Sequence, residues 1–152
     1  MTDGLFSWKQ HGVISLWQYT EFRNKFGGWH LSANDAGVTS LVSLLQLLSN
    51  APGTHRTIVV TPPSASALRV PNYQQGDALW SAPAKWRLQC AASSAWDFPP
   101  ELEPATLTVG GEFLSEFIAA LEGIPKGEGD FSVGRSGQGN LALWFWWWPS
   151  AA

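Results

Sequence analysis

The sequence predicts an α+β domain of two layers, a mixed or mostly antiparallel sheet of about six strands with two main helices on one face. Three observations predict it. Two segments carry apolar residues at helical spacing, Val38 to Leu48 and Phe113 to Leu121. Around them run short stretches of β-branched and aromatic residues, each bounded by glycine, proline or polar turn residues. The chain of 152 residues is 45% hydrophobic and only 14% charged, which suits one sizeable core and not a disordered segment. A single domain over 1–152 follows from that length.

The elements are justified in chain order. Leu5 to Phe22 holds Phe6, Trp8, Val13, Ile14, Trp17 and Tyr19 and reads as one or two strands broken at His11-Gly12. Gly27-Gly28 makes a turn, and Trp29 to Ala33 is a short strand. Asn34 or Asp35 then caps a helix running to about Ser49, by accepting from otherwise unpaired backbone N–H groups. Its polar stripe is only Ser40, Ser43, Gln46 and Ser49, so most of its circumference is expected inside. Pro52-Gly53 ends it.

Arg56 to Thr61 is a strand stopped by Pro62-Pro63, since proline has no N–H to continue a ladder. Ser64 to Ala84 is the least regular stretch, with an extended piece at Leu68 to Val70, a turn at Pro71-Asn72 and a loop through Gln74 and Asp77. Lys85 to Cys90 alternates Trp86 and Leu88 with Lys85, Arg87 and Gln89, a strand with one wet face. Prolines 99, 100 and 104 mark a loop, and Thr106 to Val109 leads through Gly110-Gly111 into a second helix, Glu112 to Glu122, ended by Gly123. The tail reads as a hairpin: Asp130 to Gly134, a glycine-rich turn from Arg135 to Asn140, then Leu141 to Trp148. Trp29 to Thr61 and Thr106 to Gly134 share the order strand, turn, helix, loop, strand, a structural pseudo-repeat with little residue identity.

Charge excludes some partners. A formal net charge of −3 gives no footprint for nucleic acid. Asp97, Glu101, Glu103, Glu112, Glu116, Glu122, Glu128 and Asp130 meet a single base, Lys126, whereas the preceding segment is mildly basic. That polarity suits an acidic helix face, or the orientation of a dimer or a basic partner. The one cysteine, Cys90, fits a reduced, cytoplasmic setting and a small core residue. Met1 to Lys9 does not read as a signal peptide, and Leu141 to Trp148 falls far short of the ~20 apolar residues a membrane helix needs.

Chemical motifs are weak. His30 and Ser32 share a strand face, but neighbours two apart lie roughly 7 Å from each other, too far for a nucleophile–base bond. Gly134 to Gly139 is glycine-rich, but no helix follows it to hold a phosphate. His11, His30 and His55 sit at no ligand spacing, and Asp97, Glu101 and Glu103 read as a solvated loop. No catalytic residue, metal or cofactor is expected.

Tryptophan is the abnormal feature: ten in the chain, four of them between Leu141 and Trp148. As a strand, that segment puts Leu141, Leu143, Phe145 and Trp147 on one face and Ala142, Trp144, Trp146 and Trp148 on the other. Both faces are apolar, and two helices cover only about four strands on one side. The second face therefore needs the middle loops, a curled sheet or another molecule. The leading expectation is a non-enzymatic binding or protein-interaction domain that uses this tryptophan-rich face, with a protein partner or a second copy and neither nucleic acid nor membrane. The alternative is a small-molecule-binding protein or enzyme with a cleft near His30, Tyr73 and Arg135. The candidate contact residues are Trp144, Trp146, Trp148, Arg135, Tyr73 and His30.

Overall fold

A computed structural model describes residues 7–19, 28–70, 79–129, 131–135, 137 and 139–149. The strands are β1 Ile14–Tyr19, β2 Trp29–Ala33, β3 His55–Val59, β4 Trp80–Ser81, β5 Lys85–Ala91, β6 Trp96–Asp97, β7 Ala105–Gly110, β8 Phe131–Val133 and β9 Leu143–Phe145. The helices are α1 Asp35–Ser49, α2 Ala65–Arg69 and α3 Gly111–Gly123, the last running into a 3₁₀ turn at Ile124–Lys126. These elements make an α+β fold, with the strands divided between two sheets. The first has the order β4-β1-β2-β9-β8 and the second β3-β5-β7-β6. Both are mixed: β2 runs parallel to β9 and β5 to β7, while the other pairings are antiparallel.

Local chemistry explains most boundaries. Asn34 caps α1 by accepting from Gly37 N–H at 2.9 Å, and the same oxygen accepts from Val13 N–H at 2.9 Å. One amide thus closes the helix and fixes the entry to β1. The extended piece expected at Leu68 to Val70 is instead part of α2. Ser64 follows the two prolines and accepts from Ala67 N–H at 3.0 Å, which starts a single helical turn too short to show a period. The last strand is also shorter than the expected Leu141 to Trp148. Only Leu143–Phe145 pairs with both neighbours, with Phe131 opposite Phe145 and Val133 opposite Leu143.

The suspected pseudo-repeat extends further than the two stretches that suggested it. In the first sheet, β1 is antiparallel to β2, β2 parallel to β9, and β9 antiparallel to β8. In the second, β6, β7, β5 and β3 repeat those relations in that order. Each half reads strand, strand, helix, strand, strand: β1-β2-α1-β3-β5, then β6-β7-α3-β8-β9, with α2 and β4 inserted in the first half. Each half gives its first pair of strands to one sheet and its last pair to the other. The registers agree as well. Asn34 N–H donates to the Val13 carbonyl at 3.1 Å, and at the equivalent place Gly110 N–H donates to the Ala95 carbonyl at 2.6 Å. Leu41, Leu45 and Leu48 of α1 correspond to Phe117, Leu121 and Ile124, and all are buried.

One core joins the halves. Ile14, Leu16, Trp29, Leu31, Leu143 and Phe145 enter it from the first sheet, and Ile58, Trp86, Leu88, Leu107 and Val109 from the second. Phe98, just past β6, is fully buried between them, stacked on Trp29 at 4.7 Å and 9° and on Trp86 at 6.0 Å and 8°. Trp86 continues to Phe117 of α3, and Phe117 meets Phe145 edge-on. Such pairs add about 0.5–1.5 kcal/mol each beyond burial. Phe98 backbone is held too: its N–H donates to Asn140 Oδ1 at 2.8 Å and its carbonyl accepts from Leu141 N–H at 2.9 Å.

Phe98→Ala removes the ring that touches both sheets and is expected to cost about 3–5 kcal/mol in urea unfolding. Asn34→Ala forfeits a cap and the Val13 bond together, so a loss near 2 kcal/mol is expected in the same measurement. A loss below about half a kcal/mol for Asn34→Ala would show that water replaces both bonds without cost.

Candidate functional site

Alternation along the first sheet sends Leu16, Leu31 and Phe145 into the core and Ser15, Trp17, Tyr19, His30, Ser32 and Trp144 to its outer face. That face is not open. Ser15, Trp17, His30 and Ser32 are each 1% exposed or less. Their cover comes from the middle segment of the same chain: Ala67 and Leu68 of α2 pack on Trp17 and Trp146, with Val70 and Ala82 beside them.

The aromatic side chains there form a continuous stack. Trp17 lies on His30 at 5.7 Å, His30 on Trp146 at 6.1 Å, and Trp146 on Trp144 at 6.1 Å, all within 22° of parallel. Tyr19 meets the edge of His30 at 4.9 Å. The Trp146 indole N–H donates to His30 Nδ1 at 3.0 Å. An indole nitrogen only donates, so Nδ1 carries no proton, and the ring is neutral with its proton on Nε2. Ser32 Oγ donates to the Trp146 carbonyl at 3.0 Å, leaving His30 and Ser32 engaged with the tail and not with each other. Tyr19 donates its hydroxyl to the Leu68 carbonyl at 2.9 Å. Burial pushes this phenol from its ordinary 10 up to about 12. The Trp17 indole facing it opposes that rise, though not in good hydrogen-bond geometry, and the Trp17 N–H has no bonded partner among the described residues.

The candidate residues of the sequence are therefore dispersed. Trp146 is buried, Trp144 is half-buried at the end of the stack, and Trp148 is half-buried against the main core instead of sharing their face. The face alternation expected up to Trp148 fails because the ladder ends at Phe145. Arg135 is exposed beyond β8, with its guanidinium over the Phe113 ring at 5.4 Å and an Nη2 bond to the Ser94 carbonyl at 3.5 Å. His30 packs instead among Trp17, Tyr19 and Trp146, so the two are not brought together. Tyr73 lies outside the described residues.

Two surfaces were not among the candidate sites of the sequence reading. An open cleft of about 360 Å³ is lined by Trp8, Lys9, His11, Thr39, Ser40 and Ser43. Much of its polar lining is already engaged: Ser40 Oγ accepts from His11 N–H at 3.1 Å and the Ser40 carbonyl from the Trp8 indole at 3.0 Å. The polar stripe of α1 was the available signal. The outer face of the second sheet carries Thr57, Lys85, Arg87, Gln89, Thr106 and Thr108. Here the Arg87 guanidinium lies 3.3 Å from His55 Nδ1, while its buried Nε has no partner among the described residues.

Cys90 is buried, and burial pushes its thiol up to about 11, so the thiolate is scarce near neutral pH. Among the described residues no three His, Cys, Asp or Glu side chains gather as a metal site, and no helix is long and apolar enough to cross a membrane. No protein-family model, curated protein or solved structure matches the chain.

The raised phenol gives a pH expectation. Folding favours neutral Tyr19, so its contribution is fully present below about pH 10 and is lost as pH rises towards about 12. Cys90 adds an earlier decline between about 9 and about 11. Urea midpoints measured across this range should fall for the native chain. Tyr19→Phe should flatten the upper limb, and an unchanged slope would place the phenol in water.

Proposed function

We propose that the chain is a non-enzymatic protein-interaction domain that engages its partner along sheet edges. The tryptophan-rich face, the surface first expected to do this, is mostly occupied by α2. One observation carries the proposal. The exposed large apolar side chains among the described residues are Val59, Leu79, Trp80, Phe131 and Trp147, at 60%, 58%, 37%, 49% and 37% exposure. Val59 lies on β3, Leu79 and Trp80 on or beside β4, and Phe131 on β8, which are edge strands; Trp147 follows β9 next to β8. Apolar side chains on strand edges are where another chain docks, because backbone donors and acceptors lie beside them.

The chemistry of the interior supports a binding role over catalysis. Two of the buried polar side chains on the outer face of the first sheet are engaged with the tail, Ser32 through Oγ and His30 through Nδ1, and a catalytic pair would need those atoms to face each other or a substrate. A cytoplasmic setting fits the single free, buried cysteine. The partner is a protein or a second copy of the chain, with no cofactor.

Site-specific photo-crosslinking tests this reading. A photoreactive residue at 59, 80 or 131 should give protein adducts of discrete mass in the native cell, and the same residue at Ser115 or Ala119 on exposed α3 should give none. Absence of adducts at all three edge positions would overturn the proposal. So would a small metabolite that saturably quenches tryptophan emission and raises the melting temperature.

A further inference from the structure

Three of the free edges, β3, β6 and β8, differ in how they are finished, and among them that difference singles out β8; the fourth, β4, is only two residues long. On β3, the Gln10 side chain takes the place of a neighbouring strand: its Nε2 donates to the Val59 carbonyl at 2.7 Å and its Oε1 accepts from Val59 N–H at 3.0 Å. Arg56 on the same strand reaches back to the Trp8 carbonyl at 3.3 Å. Beside β6, Asn140 and Leu141 bond to both backbone groups of Phe98. These are the devices by which a chain prevents its strand edges from pairing with another.

β8 is the counterpart of β3 in the second half, and it has no such cap among the described residues. Its free groups can be identified from the ladder. Trp146 N–H donates to Leu31 and Trp29 N–H to Ala142, so the even-numbered residues of the last strand face β2. Leu143 and Phe145 therefore face β8, which places Phe131 and Val133 in that ladder. The N–H and carbonyl of Ser132 point the other way, out of the sheet. Ser132 itself is exposed, and Phe131 beside it is half-exposed.

We infer that β8 pairs with β8 of a second copy, antiparallel about a two-fold axis at Ser132, joining the two five-stranded sheets edge to edge. This rests on the protein-interaction reading and names its partner. Three features make the edge self-complementary. The two Ser132 residues exchange N–H···O bonds, as directly opposed residues of an antiparallel pair do. Phe131 of each copy comes opposite Val133 of the other, which is buried in its own core, so the exposed ring would lie along the backbone edge of the partner's β8. The charges also fit: Glu128 precedes β8 and Arg135 follows it, both exposed, so an antiparallel pair brings the basic end of each copy to the acidic end of the other. A parallel pair would set like against like. Gly134, at φ 87°, ends the strand with Trp96 packed where a Cβ would stand, and this keeps the ladder short.

A contact of this length is smaller than the ~1,200 Å² that stable complexes bury. A concentration-dependent, micromolar or weaker dimer in rapid exchange is the expected form. Sedimentation equilibrium of the full chain tests it with four samples beside the native protein. Ser132→Pro removes the outward donor without touching the β9 ladder and should raise Kd at least tenfold. Arg135→Glu and Glu128→Lys should each weaken association severalfold. An equimolar mixture of those two variants should recover it, since both cross-copy contacts are again opposite in sign. The urea midpoint of Glu128→Lys should match the native value, whereas Arg135→Glu also gives up the Phe113 ring and the Ser94 carbonyl and should unfold slightly earlier. A native chain that stays monomeric to near-millimolar concentration overturns the inference, as does a dimer indifferent to all three substitutions. Either result leaves the broader reading standing if photo-adducts to other proteins form at an edge.

Discussion

The stack of Trp29, Phe98 and Trp86 is the contact on which the arrangement of the two sheets depends. The sheets share no strand, so what holds their inner faces together is side-chain packing and the few backbone bonds that cross between them. Phe98 lies nearly parallel to a tryptophan from each sheet, and its backbone is pinned by the segment leading into β9. Loss of that ring would open a cavity where both sheets and the tail converge. Tight interiors do not relax into such gaps without loss.

Exchange of strand pairs between the halves makes this contact necessary. Each half leaves two strands in one sheet and two in the other, so neither half has a complete sheet to fold on by itself. The parallel pairs β2 with β9 and β5 with β7 are the seams where the halves meet. Parallel strands suit burial, and these seams place Leu31 opposite Phe145 and Leu107 opposite Leu88 at the centre of the core. The helices follow from the same geometry. α1 and α3 each connect a strand of one sheet to a strand of the other, pack against one another, and supply the apolar stripe that neither sheet could cover alone.

How much of this the sequence could disclose depends on the range of the interaction. Local signals were legible: a cap at Asn34 or Asp35, of which Asn34 makes the bond, the alternation of Lys85 to Cys90, and the apolar face of α3 all stand where residue type and spacing put them. The aromatic face was legible only in part. Trp144 and Trp146 do share a side of the first sheet, but the partner of Trp146 is His30, 116 residues away, and no spacing rule reaches that far. The middle segment was among the covers the sequence offered for that face, but its helical form was not legible, because α2 is one turn long and a five-residue helix has no period to read. Division into two sheets was hidden for a related reason. Alternation shows that a strand has an inside and an outside, but not which other strand it will join.

The near-symmetry of the halves gives the departures from it their meaning. Equivalent positions in the helices and central strands keep their burial while changing residue, as Leu41 and Phe117 do, which is what packing alone requires. The edges do not keep their equivalence. β3 is closed by Gln10, whereas β8 carries an exposed phenylalanine and an outward-facing peptide group with no such cap among the described residues. The outer faces differ too. One carries a buried aromatic stack beneath α2, and the other carries threonines, a lysine and an arginine. Since the core needs none of these differences, constraints from outside the core account for them best, and the open edge of β8 is the one whose backbone specifies the shape of what it would meet: an extended strand.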